Sequence, residues 1–290
     1  MGTTPLLEGD RVVVNVGAEG GPSVVAFDAR SGRQLWQAGT RYGQSYAAPV
    51  AADLHGRHRV LVFAGGESWP PTGGLMCIDA ADGKVDFEFD WRGRRRESVN
   101  ASAPLVLGNR VFISECYGRG SALVEIDRDF SPKIVWQTED FGTHFMTAVA
   151  SDGFLYGCHG HGPRGCPLVC LDVATGKEQW RHDPQWTEEA EVDGQKSRLR
   201  MELNRSQLLL ADGRALCLTE NGHLLWLALD PRGYKELSRA WLFAAPETWS
   251  GPVLSRGLLY VCQNSRDALT GREPRLICYD LRLPGVGKGG

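Results

Sequence analysis

The sequence predicts an all-β fold, a β-propeller of about six four-stranded antiparallel blades, on three observations. The segment Val24 to Trp36 returns as Leu168 to Trp180, with weaker copies elsewhere. Six turn aspartates, Asp28, Asp79, Asp127, Asp172, Asp230 and Asp280, are spaced 51, 48, 45, 58 and 50 residues apart, a period that suits a propeller blade of about 40 to 50 residues. No apolar period of three to four is sustained over the roughly dozen residues a stable helix needs.

Each unit opens on a matching triplet: Thr4-Pro5-Leu6, Ala48-Pro49-Val50, Ala103-Pro104-Leu105, Thr147-Ala148-Val149, Ser206-Gln207-Leu208 and Gly251-Pro252-Val253. The first strand follows this triplet. The second is a β-branched or aromatic run after a Gly, Asn or Asp turn, as in residues 11–14, 110–113, 154–156 and 258–261, the composition that fits a pleated surface. The third ends on the turn Asp. There the carboxylate can accept backbone N–H bonds, while Gly32, Gly83 and Gly176 supply the positive φ that closes the hairpin with a bulge. The fourth strand carries a ring: Trp36, Phe87 and Trp180 after a constant spacing, and Trp136 and Trp241 after turns lengthened by one and three residues. Rings of roughly 150 to 250 Å² are natural wedges between neighbouring blades. The units fall at 4–43, 44–97, 98–142, 143–186, 203–246 and 247–284, and 187–202 is read as a loop inserted between the fourth and fifth.

Because the repeat runs from end to end without a break in composition, one domain, 1–290, is expected. The net charge is −3, from 32 basic and 35 acidic residues, and the basic residues are dispersed, which argues against a nucleic-acid partner. The one basic cluster, Arg92, Arg94, Arg95 and Arg96, falls between units and reads as a solvated loop. No stretch approaches the roughly 18 apolar residues of a membrane span, and Met1 to Asp10 lacks the regions of an export signal. As written, the chain is expected in the cytoplasm. An N-terminal portion outside this sequence would make it periplasmic or exported.

Three of the eight cysteines, Cys77, Cys170 and Cys278, recur two residues before the turn Asp, and Cys158 and Cys262 recur at the end of the second strand. Recurrence at a structural position marks packing, since free Cys behaves as a small hydrophobe. The cluster Cys158-His159-Gly160-His161 with Cys166 and Cys170 matches no zinc spacing. The sequons at Asn100 and Asn204 lie where an innermost strand begins, which suits backbone capping better than a glycan. There is no phosphate loop, nucleophile elbow or His-Glu-x-x-His motif, and no catalytic or metal-binding residue is assigned.

The pattern of a Val or Leu strand followed by Asp-x-x-x-Gly-x-x-x-Trp resembles the PQQ-like repeat of quinoprotein-type β-propellers. Residues 144–147, 233–240 and 249–253 look like the bacterial, planctomycete-type members of that group. Such propellers commonly have seven or eight blades, so the resemblance implies that two N-terminal blades lie outside this sequence. It also implies PQQ on the propeller axis beside calcium, with adjacent cysteines and a stacked Trp, if the chain is a quinoprotein dehydrogenase. The sequence has no adjacent Cys pair and no recognisable calcium set. Relatives without cofactor include the lipoprotein of the outer-membrane barrel-assembly machinery, and a non-catalytic binding or scaffold role is therefore expected, with no cofactor.

A bound guest would meet the residues leading into the innermost strands: Gln44, Tyr46, Asn100, Ser102, His144, Asn204, Arg205 and Trp249. Amides, an imidazole and rings suit a sugar or polar ring compound. The same groups also suit sheet capping and channel water. A protein partner is expected to meet an aromatic patch, for which Trp69, Trp91 and Trp186 lie off the repeat positions.

Overall fold

A computed structural model describes residues 3–18, 20–66, 69–162, 165–192 and 194–282, and every regular element in them is a β-strand. The chain divides into two compact units, Met1–His182 and Asp183–Gly290, where the unbroken repeat points to one domain. Each unit is built from propeller blades.

Unit 1 holds four sheets of four antiparallel strands, each in simple meander order. Blade 1 is β1 (Leu6–Glu8), β2 (Arg11–Asn15), β3 (Val24–Asp28) and β4 (Gln34–Ala38). Blade 2 is β5 (Val50–Leu54), β6 (Arg57–Ala64), β7 (Gly74–Asp79) and β8 (Val85–Asp90). Blade 3 is β9 (Leu105–Leu107), β10 (Arg110–Glu115), β11 (Gly120–Ile126) and β12 (Pro132–Thr138). Blade 4 is β13 (Val149–Ser151), β14 (Phe154–Cys158), β15 (Leu168–Asp172) and β16 (Glu178–His182).

The core lies between blades. Val60 and Val62 of β6 pack with Val13, Ala26 and Trp36 of blade 1, whereas Leu61 and Phe63 pack with Val111, Ile113 and Val124 of blade 3. Alternation along one strand thus supplies both faces. That is why residues 60–64 read as an unbroken apolar run, all of them fully buried.

The repeat motif is an inter-blade joint. Asp28 Oδ1 accepts the amide of Ser31 at 2.7 Å, and Gly32 N donates to Asp28 O at 2.9 Å with φ of 71°. Asp172, Thr175 and Gly176 repeat this geometry. The ring of one blade then lies on the turn of the next. The Trp36 indole donates to Ala80 O at 3.2 Å, and a Cβ on Gly83 would stand 2.8 Å from its ring. The Trp136 indole donates to Val173 O at 2.7 Å, and a Cβ on Gly176 would stand 2.6 Å from that ring. Glycine is therefore required twice, by its φ and by the ring above it.

One turn of unit 1 departs from the expectation. In blade 3 the extra residue before Trp136 is taken up by the strand ladder. The turn itself is shorter, with Asp127 N bonded to Ser131 O and Phe130, at φ of 64°, in the glycine position. The Arg59 guanidinium lies 4.5 Å over the Phe130 ring, a cation–π contact that helps hold this non-glycine residue in place.

Unit 2 begins with a two-stranded hairpin, β17 (Gln185–Val192) and β18 (Gln195–Glu202), so residues 187–192 and 195–202 pair as an antiparallel ribbon where a loop is expected. Opposed charges explain the pairing, with Glu189 facing Arg198 and Glu191 facing Lys196. Blade 5 follows as β19 (Gln207–Ala211), β20 (Arg214–Leu218), β21 (His223–Asp230) and β22 (Gly233–Trp241). Blade 6 has three strands among the described residues: β23 (Val253–Ser255), β24 (Leu258–Gln263) and β25 (Arg275–Asp280).

Trp241 does not take the wedge role expected of it. The bulge that fixes the wedge position lies between Ala26 and Phe27 in blade 1, opposite Trp36, and between Trp226 and Leu227 in blade 5, opposite Ser238. Trp241 pairs with His223 instead, stacked on its ring at 4.9 Å. Blade 6 adds a turn the sequence reading missed. Asp267 to Arg272, between β24 and β25, repeats the Asp28 bonding, with Gly271 N donating to Asp267 O at 2.9 Å. Cys278 is also a correction: Cys77 and Cys170 are buried at this repeat position, but Cys278 is exposed, because β25 carries no fourth-strand neighbour among the described residues.

Candidate functional site

The predicted guest-binding residues fall into two groups, one in each unit. In unit 1 the segments leading into the first strands of blades 2, 3 and 4 bring together Tyr46, Asn100 and His144. Tyr46 N donates to Asn100 O at 3.1 Å, and its ring meets Phe145 edge-on at 5.6 Å. His144 is buried; its Nε2 hydrogen-bonds the Tyr117 hydroxyl at 2.8 Å. The exposed His161 ring lies 4.8 Å from both Tyr117 and His144. The result is a patch in which Tyr46 and His161 face solvent over a buried Tyr117–His144 pair. Burial pushes the Tyr117 phenol well above its usual range.

Tyr117, Phe145 and His161 were missed as site residues. The only sequence signal for them was the cluster at 158–161, considered as a metal site; His159 there is instead an acceptor, taking the amide of Gly142 on Nδ1 at 3.0 Å, and burial lowers its pKa. Gln44 is exposed and Ser102 buried. Asn100 is fully buried, and its amide donates to Ala64 O at 2.8 Å and Trp91 O at 3.0 Å. It fastens blade 2 to the entrance of blade 3, a capping geometry that leaves no room for a glycan.

The backbone of Tyr117 is held by a buried carboxylate, Glu115. It accepts the amides of Tyr117 at 2.7 Å, Gly120 at 3.0 Å and Arg119. Burial raises its pKa, opposed by these three bonds.

In unit 2 the predicted Arg205 and Trp249 converge on Glu220, which the sequence reading did not single out. The guanidinium donates to both carboxylate oxygens, from Nε to Oε2 at 3.0 Å and also from Nη2 to Oε1. The Trp249 indole donates to Oε1 at 2.9 Å, and Arg205 stacks over that indole at 4.8 Å. Asn204, buried beside them, takes a left-handed φ of 53°. This is a buried, internally neutralised pair rather than an open charge.

The same unit holds a third cluster. His223 is fully buried between Trp241 and Trp186, 3.3 Å from Glu188 of the hairpin, and Arg239 lies 4.4 Å over the Trp186 ring. Burial lowers the His223 pKa to about 4 against the partial support of Glu188. Trp186 is therefore spent on holding the hairpin. Trp91 is 1% exposed and donates to Gly120 O, so of the three tryptophans expected to form an outer patch only Trp69, at 77% exposure, reaches solvent freely.

Glu115 and Glu220 hold no carboxylate oxygen clear of protein partners for a calcium ion. Those oxygens are occupied by backbone amides, Arg205 or Trp249, and among the described residues no three metal-ligating acids, histidines or cysteines come together. Nor is there, among those residues, a helix long and apolar enough to cross a membrane.

Repeated four-stranded blades locked by Asp-to-Gly turns and rings define a β-propeller of the PQQ-repeat type. The family described as "Outer membrane protein assembly factor BamB" matches residues 1–182, more than half of the chain, and the chain belongs to it. No curated protein matches the sequence. Among solved structures, BamB from Moraxella catarrhalis is similar at 16% identity, TM-score 0.57, over 94% of this chain and 67% of that one. A europium-containing methanol dehydrogenase is similar at 13% identity, TM-score 0.57, over 96% and 68%. Saccharomyces cerevisiae Sqt1 is similar at 14% identity, TM-score 0.60, over 93% and 73%. At these identities the likeness is one of fold.

Proposed function

We propose that this chain is a non-catalytic binding module that engages a partner protein through the Tyr46–Phe145–His161 patch of unit 1. One observation carries the reading: the charged groups beside the strand-entry residues, Glu115, Arg205 and Glu220, are bonded internally, whereas rings are left at the surface. Tyr46 is 36% exposed and backed by the edge of Phe145, and rigid rings over a buried, hydrogen-bonded support are the usual anchors of protein interfaces. The family's description as an assembly factor agrees with this role. The methanol dehydrogenase likeness supports the fold and supplies no donor set.

The test couples two measurements on one preparation. A photo-crosslinking residue at Tyr46 is expected to capture a partner, and Phe145→Ala in the same chain to abolish capture while circular dichroism stays unchanged. Dye reduction after addition of PQQ and calcium is expected to remain at background. Saturable, PQQ-dependent dye reduction would replace this reading with a quinone-dependent oxidoreductase.

A further inference from the structure

His58 stands between two carboxylates at the seam of blades 1 and 2. It lies on β6 directly opposite Asp53 of β5, and its Nδ1 is 2.9 Å from Asp53 Oδ1. Its Nε2 is 3.0 Å from Oε1 of Glu8, the last residue of β1 in the neighbouring blade. A neutral imidazole carries one N–H and one lone pair, so only the imidazolium donates from both nitrogens. With the ring neutral, one nitrogen turns a lone pair towards a carboxylate oxygen, and the charge attraction across the seam is gone.

The other charged groups at this seam are committed elsewhere. Glu8, Arg11, Arg57, His58, Arg59 and Asp79 line one crevice of about 520 Å³ between the blades. Arg11 donates to Asp10 at 2.8 Å, and Arg59 is held by Asp79 at 2.7 Å and Asp86 at 2.6 Å. The Arg57 guanidinium lies 5.6 Å from the centre of the Phe130 ring. Among the described residues Glu8 has His58 as its one ion-pair partner. The strand it ends is only three residues long, and Leu7 in its middle is 66% exposed, so β1 has little burial of its own to oppose local opening. The hydrogen bond to Asp53, together with the charge of Glu8, raises the His58 pKa above its usual value against the cost of partial burial.

We propose that His58 is a proton-operated clasp between blades 1 and 2: protonated, it ties Glu8 of β1 to Asp53 of β5, and when it loses its proton to solvent the Glu8 end of β1 opens locally. The tie is complete below the ordinary histidine value of 6.5 and is lost as pH rises through the raised folded value. The clasp stands at the exit ends of β1 and β5, whereas Tyr46 precedes the entrance of β5. It does not rest on the reading of the Tyr46 patch.

Two measurements on the full chain test it. In an NMR titration of the histidine Cε1–H signals, with His58 assigned by its loss in His58→Gln, His58 is expected to titrate above 6.5. Glu8→Gln and Asp53→Asn, both at surface positions, are each expected to lower that midpoint. In hydrogen exchange read by mass spectrometry and corrected for the intrinsic effect of pH, protection of residues 6–13 is expected to fall as the pH rises through the same titration. The fall expected is about 2- to 5-fold, the range that a partly exposed ion pair supports. Glu8→Gln is expected to remove it, and residues 168–172 of blade 4 to keep their protection throughout. A midpoint at or below 6.5, a midpoint unmoved by Glu8→Gln, or constant protection at 6–13 would overturn the clasp. An equal loss of protection at 168–172 would overturn its confinement to β1.

Discussion

Units 1 and 2 use the same joint with different completeness, and the difference separates what the repeat requires from what it permits. In unit 1, Trp36 and Trp136 sit on Gly83 and Gly176, each glycine held at positive φ beneath a ring. In unit 2 the ring has moved to Trp226 and the fourth-strand position is Ser238. Stability there rests on other devices: the Arg205–Glu220–Trp249 cluster and the Trp186–His223–Trp241 stack that holds the hairpin. The family match ends at His182, the residue at which unit 1 ends. The regular joint and the family signature thus coincide.

The largest effects are expected where each unit's own device is removed. Arg205→Met leaves Glu220 buried without its cation and is expected to cost about 3–5 kcal/mol, seen as a lowered urea midpoint. Adding Glu220→Gln is expected to recover part of that loss. Trp136→Ala is expected to cost about 3–5 kcal/mol through the cavity it leaves between blades 3 and 4. If the two substitutions lowered one shared transition equally on every probe, the contrast between the units would fail.

A change of pH sharpens the comparison. The folded-state pKa of His223 lies below its ordinary value of 6.5, held down to about 4 by burial. The unfolded chain therefore binds more protons between these values, and stability falls as pH drops from about 6.5 towards 4. Thermal melts across this range are expected to show the loss, and His223→Phe to flatten it. The smallest effect concerns cysteine. Burial pushes the Cys77 thiol up to about 12, whereas Cys278 is exposed on β25. Iodoacetamide is expected to label Cys278 in the native protein and spare Cys77, as read by peptide mass spectrometry.

The blade pattern was legible because it depends on local chemistry: an Asp that accepts turn amides, a Gly at positive φ, and strands with alternating burial. The wedge position was legible only where spacing from the Asp was constant. It slipped at Trp241 because extra residues entered the β21–β22 ladder, and a bulge between Trp226 and Leu227 resets the register. The 187–202 hairpin was hidden because its apolar face is thin, and the ribbon is made by paired charges. The strand-entrance residues were found by position, but their partners Tyr117, Phe145, His161 and Glu220 come from other segments, and no spacing announces them. The Asp267–Gly271 turn went unseen because it occurs between the second and third strands, outside the phase of the other copies.

The most direct test of the ring-on-turn joint is a double-mutant cycle between Trp136→Ala and Gly176→Ala, read as unfolding free energies. A Cβ at residue 176 meets the indole at 2.6 Å only while the ring is present. Gly176→Ala is therefore expected to cost about 1–3 kcal/mol in the parent chain and clearly less beside Trp136→Ala, where only the strain of a positive φ remains. Costs that add to within about 0.3–0.5 kcal/mol would contradict the joint.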